Sequence, residues 1–274
     1  MNRNKRRTMI IATVIAIILG VFFLFPIYYL LMQSVTPWKM VDKSIFPTGF
    51  SLDSFNYLVN NGGSGNKMMW LRAVINSLFV TIICTGVCVV TGVLTSYAMT
   101  KIRFKATKIM YNILLFQMFF PGVILLVPLY MLLRPFVNNY LGLIIPYTVS
   151  LWAIMLYYNY FRALPSDVFE SARIDGASEL RIAFTIAFPI CRTISAIVFL
   201  SIFLGRWSEL MWDMLMAPSL QMQTLNVLIA TQFKPMGNMP GPLYAASAIL
   251  TLPVVILFLC FSKNFKQGIS MQFK

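Results

Sequence analysis

Residues 9–32, MIIATVIAIILGVFFLFPIYYLLM, carry no charge over 24 consecutive positions. An α-helix needs ~20 apolar residues to cross the hydrocarbon core of a bilayer, so this run is long enough to span it. Arg3, Lys5, Arg6 and Arg7 stand just before it. A cleaved secretory leader has a shorter apolar stretch and a small-residue cleavage site. The run therefore reads as a retained anchor helix.

The rest of the chain repeats the signal. Uncharged runs follow at 73–100, 109–133, 135–161 and 235–262. Pro121, Pro128, Pro146 and Pro253 fall inside them; membrane bundles tolerate such prolines because neighbours satisfy the freed carbonyls. Ser77, Gly86, Gly92 and Ser96 in the second run suit close helix approach. One further span is awkward: only 13 uncharged residues separate Arg192 from Arg206. Extending it to about Ala217 admits Arg206, Glu209 and Asp213. Charges near a helix end or facing a bundle interior are tolerated, so this stretch is expected to be a fifth membrane helix with a polar end. Composition agrees. The 274 residues are 59% hydrophobic and 11% charged, with mean hydropathy +0.77. A soluble domain carries roughly 25% charged residues. The expected fold is an all-α integral membrane protein with six transmembrane helices.

Charge sets the expected orientation. Six spans place both termini on one side. With the N-terminus in the cytoplasm, fifteen of the 22 basic residues fall inside, among them Arg3 to Arg7, Lys101 to Lys108, Arg162 to Arg192 and the tail from Lys263. That is the bias of the positive-inside rule. The net charge of +14 is thus read as topology and lipid-headgroup contact, not as a nucleic-acid surface. No histidine occurs, and Cys84, Cys88, Cys191 and Cys260 have no metal-site spacing; no metal site and no catalytic residue is expected. The expected organisation is a tail and first membrane helix at 1–33, an extracellular loop at 34–69 with a short helix at 51–59, a five-helix core at 70–262, and a cytoplasmic tail at 263–274.

Four of the eight carboxylates, Asp167, Glu170, Asp175 and Glu179, lie within 13 residues of one inside loop, 163–190 (ALPSDVFESARIDGASELRIAFTIAFPI). Pro165 ends the preceding helix. Asp167 followed by Glu170 fits a capping box. Asp175-Gly176 is a turn dipeptide whose glycine can take positive φ and close a helix. Ser178 can cap a second helix running to Pro189. The loop reads as a helix–turn–helix elbow. On these signals alone, it either only joins two spans or presents a surface to a partner.

At this loop the sequence resembles the ABC-importer permeases. Their pattern is E-A-A, three residues, glycine, nine residues, I-x-L-P. Here it is Glu170-Ser171-Ala172, then Gly176, then Ile186 and Phe188-Pro189, with Ser171 for an alanine and Phe188 for a leucine. Arg206-Trp207-Ser208-Glu209-Leu210-Met211-Trp212 resembles a segment of the carbohydrate-uptake permeases of the smaller maltose-permease subunit type. So do Thr224-Leu225 with Phe233 and the tail Asn264 to Ile269.

The resemblance implies the type I ABC-importer permease architecture. It implies that Glu170, Ser171, Ala172, Asp175, Gly176 and Ala177 form a coupling helix seated in a separate cytoplasmic ATPase. It also implies two ATPase subunits that bind ATP and Mg, a second homologous permease forming a heterodimer, and an extracellular solute-binding protein. The cargo it implies is a carbohydrate, an oligosaccharide by type. This chain has no G-x-x-x-x-G-K-[ST] phosphate loop, so it is read as a transport subunit without its own cofactor. Trp207, Glu209 and Trp212 are candidates for lining the substrate passage. For the two tryptophans an interfacial aromatic belt is preferred over the passage, and Glu209 fits a salt bridge to Arg206 three residues away. The rival reading is an ion-coupled secondary carrier, resting on Glu209 and Asp213 four residues apart. A membrane enzyme has no nameable nucleophile–base pair.

Overall fold

The computed structural model describes the backbone of residues 3–46, 48–60, 68–102, 104–232 and 240–272, and side chains within these from 7 to 261. The Phe233 landmark, Gly62, Gly63 and Gly65, and the side chains of Arg3 to Arg6 and of the tail beyond 261 lie outside the described residues. Among the described residues every regular element is helical.

The first long helix is α1, Arg3–Ser34, with Pro26 inside it. A short helix α2, Asp53–Asn60, follows where the sequence expects one. Next come α3 (Met69–Lys101), α4 (Thr107–Met118), α5 (Gly122–Leu133), α6 (Tyr140–Ile144) and α7 (Leu151–Ala163). The elbow is α8 (Asp167–Ile174), α9 (Glu179–Ile182), a π-helical stretch Ala183–Ala187, and α10 (Phe188–Ile190). The chain ends with α11 (Arg192–Trp207), α12 (Met211–Met216), α13 (Leu225–Gln232) and α14 (Pro240–Gln272). Among the described residues, four stretches are long and apolar enough to cross a membrane, or six if each of two bent pairs is one span.

The bends correct the sequence reading. The run 109–133 is not one straight helix. It breaks into α4 and α5 at 105°. Pro121 directly precedes α5; its ring cannot continue the helical ladder and drives the residue before it out of the α region. The expected fifth span also stops early. It ends at Trp207, and Ser208 to Leu210 separate it from α12. There Ser208 Oγ bonds back to the Leu204 carbonyl at 2.9 Å, and Glu209 Oε1 accepts from the amides of Leu210 (3.2 Å) and Trp212 (3.1 Å). Side chains that satisfy nearby amides compete with helix propagation. At its other end α11 meets the α9–α10 limb at 82°.

The chain divides into two compact units, Met1–Leu71 with Ile229–Pro253, and Arg72–Leu228 with Val254–Lys274. In the first, Asp42 Oδ1 accepts from the hydroxyls of Tyr29 (2.9 Å) and Tyr244 (2.7 Å), and Trp38 Nε1 donates to Ser54 Oγ at 3.0 Å. The second is organised on α3. One end of α3 packs Val89, Val93 and Tyr97 against α7, the elbow and α11, around buried Tyr157, Phe161 and Phe169. The other end packs Val80 and Cys84 against Leu133, Leu143, Trp212 and Met216. Small polar side chains stitch α3 to its neighbours. Ser96 Oγ donates to the Ile154 carbonyl at 2.7 Å, Thr91 Oγ1 to that of Thr148 at 2.9 Å, and Ser77 Oγ accepts from the Leu225 amide at 2.7 Å. Such groups hold helices together where water is absent. Gly92 serves the close approach expected of it: a Cβ there would stand 3.0 Å from the Tyr157 ring. Gly86 does not, because a Cβ there meets nothing within 4 Å.

Candidate functional site

The elbow is built by local chemistry. α8 begins at Asp167, flanked by Ser166, and no side chain caps it. The expected capping box is therefore absent. Asp167 and Glu170 instead sit inside the first turn, where negative charge complements the helix dipole. Glu170 is exposed, and Ser171 Oγ donates to the Asp167 carbonyl at 2.5 Å. α8 ends as the dipeptide Asp175-Gly176 predicts. Gly176 has φ +80°, its amide donates to the Arg173 carbonyl at 3.0 Å, and the Ala177 amide donates to the Ala172 carbonyl at 3.0 Å. These two bonds close the helix in the way a left-handed glycine permits. Ser178 Oγ then accepts from the Arg181 amide at 3.4 Å and opens α9.

The elbow has an inner and an outer face. Ala172 and Ala177 pack toward the core formed by Tyr97, Phe161 and Phe169. The outer face carries apolar side chains in the open. Ile174 is 87% exposed and Leu180 69%. The tip itself is uncrowded: a Cβ on Gly176 would meet nothing within 4 Å.

A clamp that sequence reasoning missed fixes the elbow to the end of α3. Arg173 Nε donates to Glu179 Oε1 at 2.7 Å, closing α8 onto α9 across the glycine turn. Arg173 Nη2 donates at 2.9 Å to the carbonyl of Lys101, the last residue of α3. Tyr97 Oη donates to Glu179 Oε2 at 2.5 Å. Lys101 Nζ donates to the Leu164 carbonyl at 2.8 Å and lies 5.0 Å from the Phe169 ring centre. The hydrogen bonds to Glu179 hold the Arg173 guanidinium above its ordinary pKa. The available signal was the oppositely charged pair flanking Gly176; nothing in the sequence brought Tyr97 to it.

The passage candidates have a different setting. Trp207 and Trp212 are buried in the protein, at 4% and 3% exposure. Trp212 Nε1 donates to the Gly142 carbonyl at 3.0 Å, and Trp207 stacks on Phe203 at 5.7 Å. Glu209 is half-buried in the break before α12. The Arg206–Glu209 pairing expected from helical spacing gives way to another. Arg206 Nη2 meets Asp213 Oδ1 at 2.8 Å, with both side chains at 2% exposure or less. Asp213 also accepts from Thr224 Oγ1 at 2.9 Å, and the Tyr147 ring lies 4.6 Å under the guanidinium. The helix break is the reason: it folds α12 back toward Arg206 and commits the Glu209 carboxylate to backbone amides. Glu209 and Asp213 therefore do not share one helix.

Comparison with known proteins follows the same lines. The family model described as binding-protein-dependent transport system inner membrane component matches residues 89–271. The arabinooligosaccharides transport system permease protein AraQ of Bacillus subtilis (strain 168) is 28% identical over 266 residues, covering 94% of this chain and 93% of that protein. The melibiose/raffinose/stachyose import permease protein MelC of the same organism is 28% identical over 276 residues, 98% of each. In fold, the chain is similar to one in the crystal structure of a bacterial ABC transporter involved in the import of the acidic polysaccharide alginate. The TM-score is 0.84 at 21% identity, with 97% and 99% of the two chains covered.

Proposed function

Because the chain belongs to the family of binding-protein-dependent transport system inner membrane components, we propose that it is a permease subunit of an ATP-driven importer whose cargo is a carbohydrate, in the oligosaccharide class. The named relatives of sugar transport over nearly the full length support the cargo class. On this reading the chain works with a second, homologous permease, two ATPase subunits that bind ATP and Mg, and an extracellular solute-binding protein. Both termini and the elbow face the cytoplasm, as the distribution of basic residues supports.

The observation that carries the reading is the elbow: a short two-limbed projection, pinned to α3 by Arg173, Glu179 and Tyr97, with apolar Ile174 and Leu180 outward. Pinned in this way, a push on the tip moves α3 with it. Exposed Glu170, Ser171, Asp175 and Gly176 form the coupling surface, Ala172 and Ala177 seat it on the core behind, and ATP-driven closure of the ATPase pair draws the elbows together to switch access across the membrane. Glu209 is the passage candidate with free surface; Trp207 and Trp212 shape the wall behind it.

The test is reconstitution with the partner subunits and binding protein. Gly176→Val keeps the chain folded, since space around the tip is open, but it opposes the left-handed backbone at about 1–2 kcal/mol. Expected is ATP hydrolysis with sharply reduced sugar uptake. Uptake at the unsubstituted rate would refute the coupling role. An ion-coupled carrier gains no support: Asp213 is neutralised by Arg206 and Glu209 caps backbone amides.

A further inference from the structure

The 82° bend between the elbow limb and α11 leaves a groove of about 510 Å³ on the second unit. Its walls are aromatic. Phe184 and Phe188 stack at 6.0 Å on the elbow side, and Phe199 and Phe261 lie 5.7 Å apart on the other. Ala196 lies among the lining residues, and Arg192, exposed at the first position of α11, is the cationic one. Among the described residues no carboxylate pairs with Arg192. α11 has 16 residues, about 24 Å of rise, most of a hydrocarbon core of about 30 Å; on the orientation proposed above, its first residue, beside the cytoplasmic elbow, stands near the cytoplasmic boundary of that core. A cation at the headgroup level above an apolar slot asks for one molecule with an anion at one end and a hydrocarbon chain at the other.

We propose that this groove binds one anionic phospholipid, its phosphate on the Arg192 guanidinium and an acyl chain between the Phe184–Phe188 and Phe199–Phe261 walls. Guanidinium groups hold phosphate by paired, charge-assisted hydrogen bonds, and basic pockets between membrane helices select anionic headgroups. The groove is bounded by the second limb of the elbow and by α11. A lipid seated there therefore fills the angle between them and favours the bent arrangement.

The test is native mass spectrometry of the full-length chain in detergent, offered equal phosphatidylglycerol and phosphatidylcholine. Expected is preferential retention of phosphatidylglycerol. Arg192→Gln should lower that retention on the order of tenfold, as for loss of a charge-assisted contact, while Arg192→Lys keeps much of it. Ala196→Trp, which fills the slot, should exclude both lipids. Soluble sn-glycerol 3-phosphate, with the phosphate but no chain, should not compete. Equal retention of the two lipids by the unsubstituted chain would overturn the proposal, as would retention unchanged by Arg192→Gln or displacement by glycerol phosphate. The first and last of these outcomes are read on the unsubstituted protein, so neither depends on how well a variant folds.

Discussion

Asp213 and Arg206 show what a charge does when it is placed out of reach of water. Each is almost fully buried, so neither tolerates losing its partner. Removing one member of a buried pair typically costs about 3–5 kcal/mol, because the other is left uncompensated. Asp213→Asn is therefore expected to lower the thermal unfolding midpoint in detergent markedly, and Glu209→Gln, at a half-buried site bonded to two amides, much less. Comparable midpoints for the two variants would refute the assignment of the structural role to Asp213. Gly142 is a second sensitive point: a Cβ there collides with the Phe136 carbonyl oxygen and Met216 Cε. Gly142→Ala should destabilise by about 1–3 kcal/mol through overpacking, read by the same melting assay. At this scale the sequence was partly legible. Asp175-Gly176 announced its turn, because a left-handed residue has few chemical solutions. The choice of Asp213 over Glu209 as Arg206's partner was hidden, because it depends on a helix break that two side chains create only once the local backbone is in place.

The elbow is the element on which the functional argument turns, and its clamp is what can be tested. Arg173 and Glu179 are partly exposed, so their pairing contributes at most about 1 kcal/mol to global stability. Its expected effect is local. Arg173→Gln should leave the melting midpoint almost unchanged but accelerate hydrogen exchange at the Gly176 and Ala177 amides, whose acceptors are carbonyls of α8. Tyr97→Phe should give a smaller acceleration at the same amides. Unchanged exchange in both would show that the glycine turn holds itself. The existence of two limbs around a glycine was readable from caps and turn residues alone. The docking onto α3 was not: Tyr97 and Glu179 are 82 positions apart, and one sequence carries no signal over that distance.

For the whole molecule, uncharged runs marked five of the membrane-scale segments among the described residues, since hydrocarbon demands the same uncharged length wherever it is crossed; the remaining one, expected from Arg192 to about Ala217, was misjudged at both ends, because its pairing with the Glu179–Ile190 limb and its stop at Trp207 depend on bends. The runs did not reveal that two of these segments bend, at 105° and 82°, because hydropathy counts residues and is blind to direction. Orientation is the matching test. Single cysteines placed at the elbow tip and in 34–69, on a background lacking the four native thiols, should react with a membrane-impermeant maleimide from opposite sides of sealed vesicles. Labelling of both from the same side would refute the proposed arrangement. The π-helical stretch Ala183–Ala187 carries a last consequence. It lies just ahead of Pro189, where the ring forbids the ordinary ladder, and a π turn amounts to one residue inserted into an α-helix. The second limb thus holds a spare residue in its register: excising exposed Thr185 would be absorbed by converting the bulge to regular helix, so the glycine tip keeps its heading, whereas the same excision from the regular turns of α11 would rotate everything beyond it by about 100°.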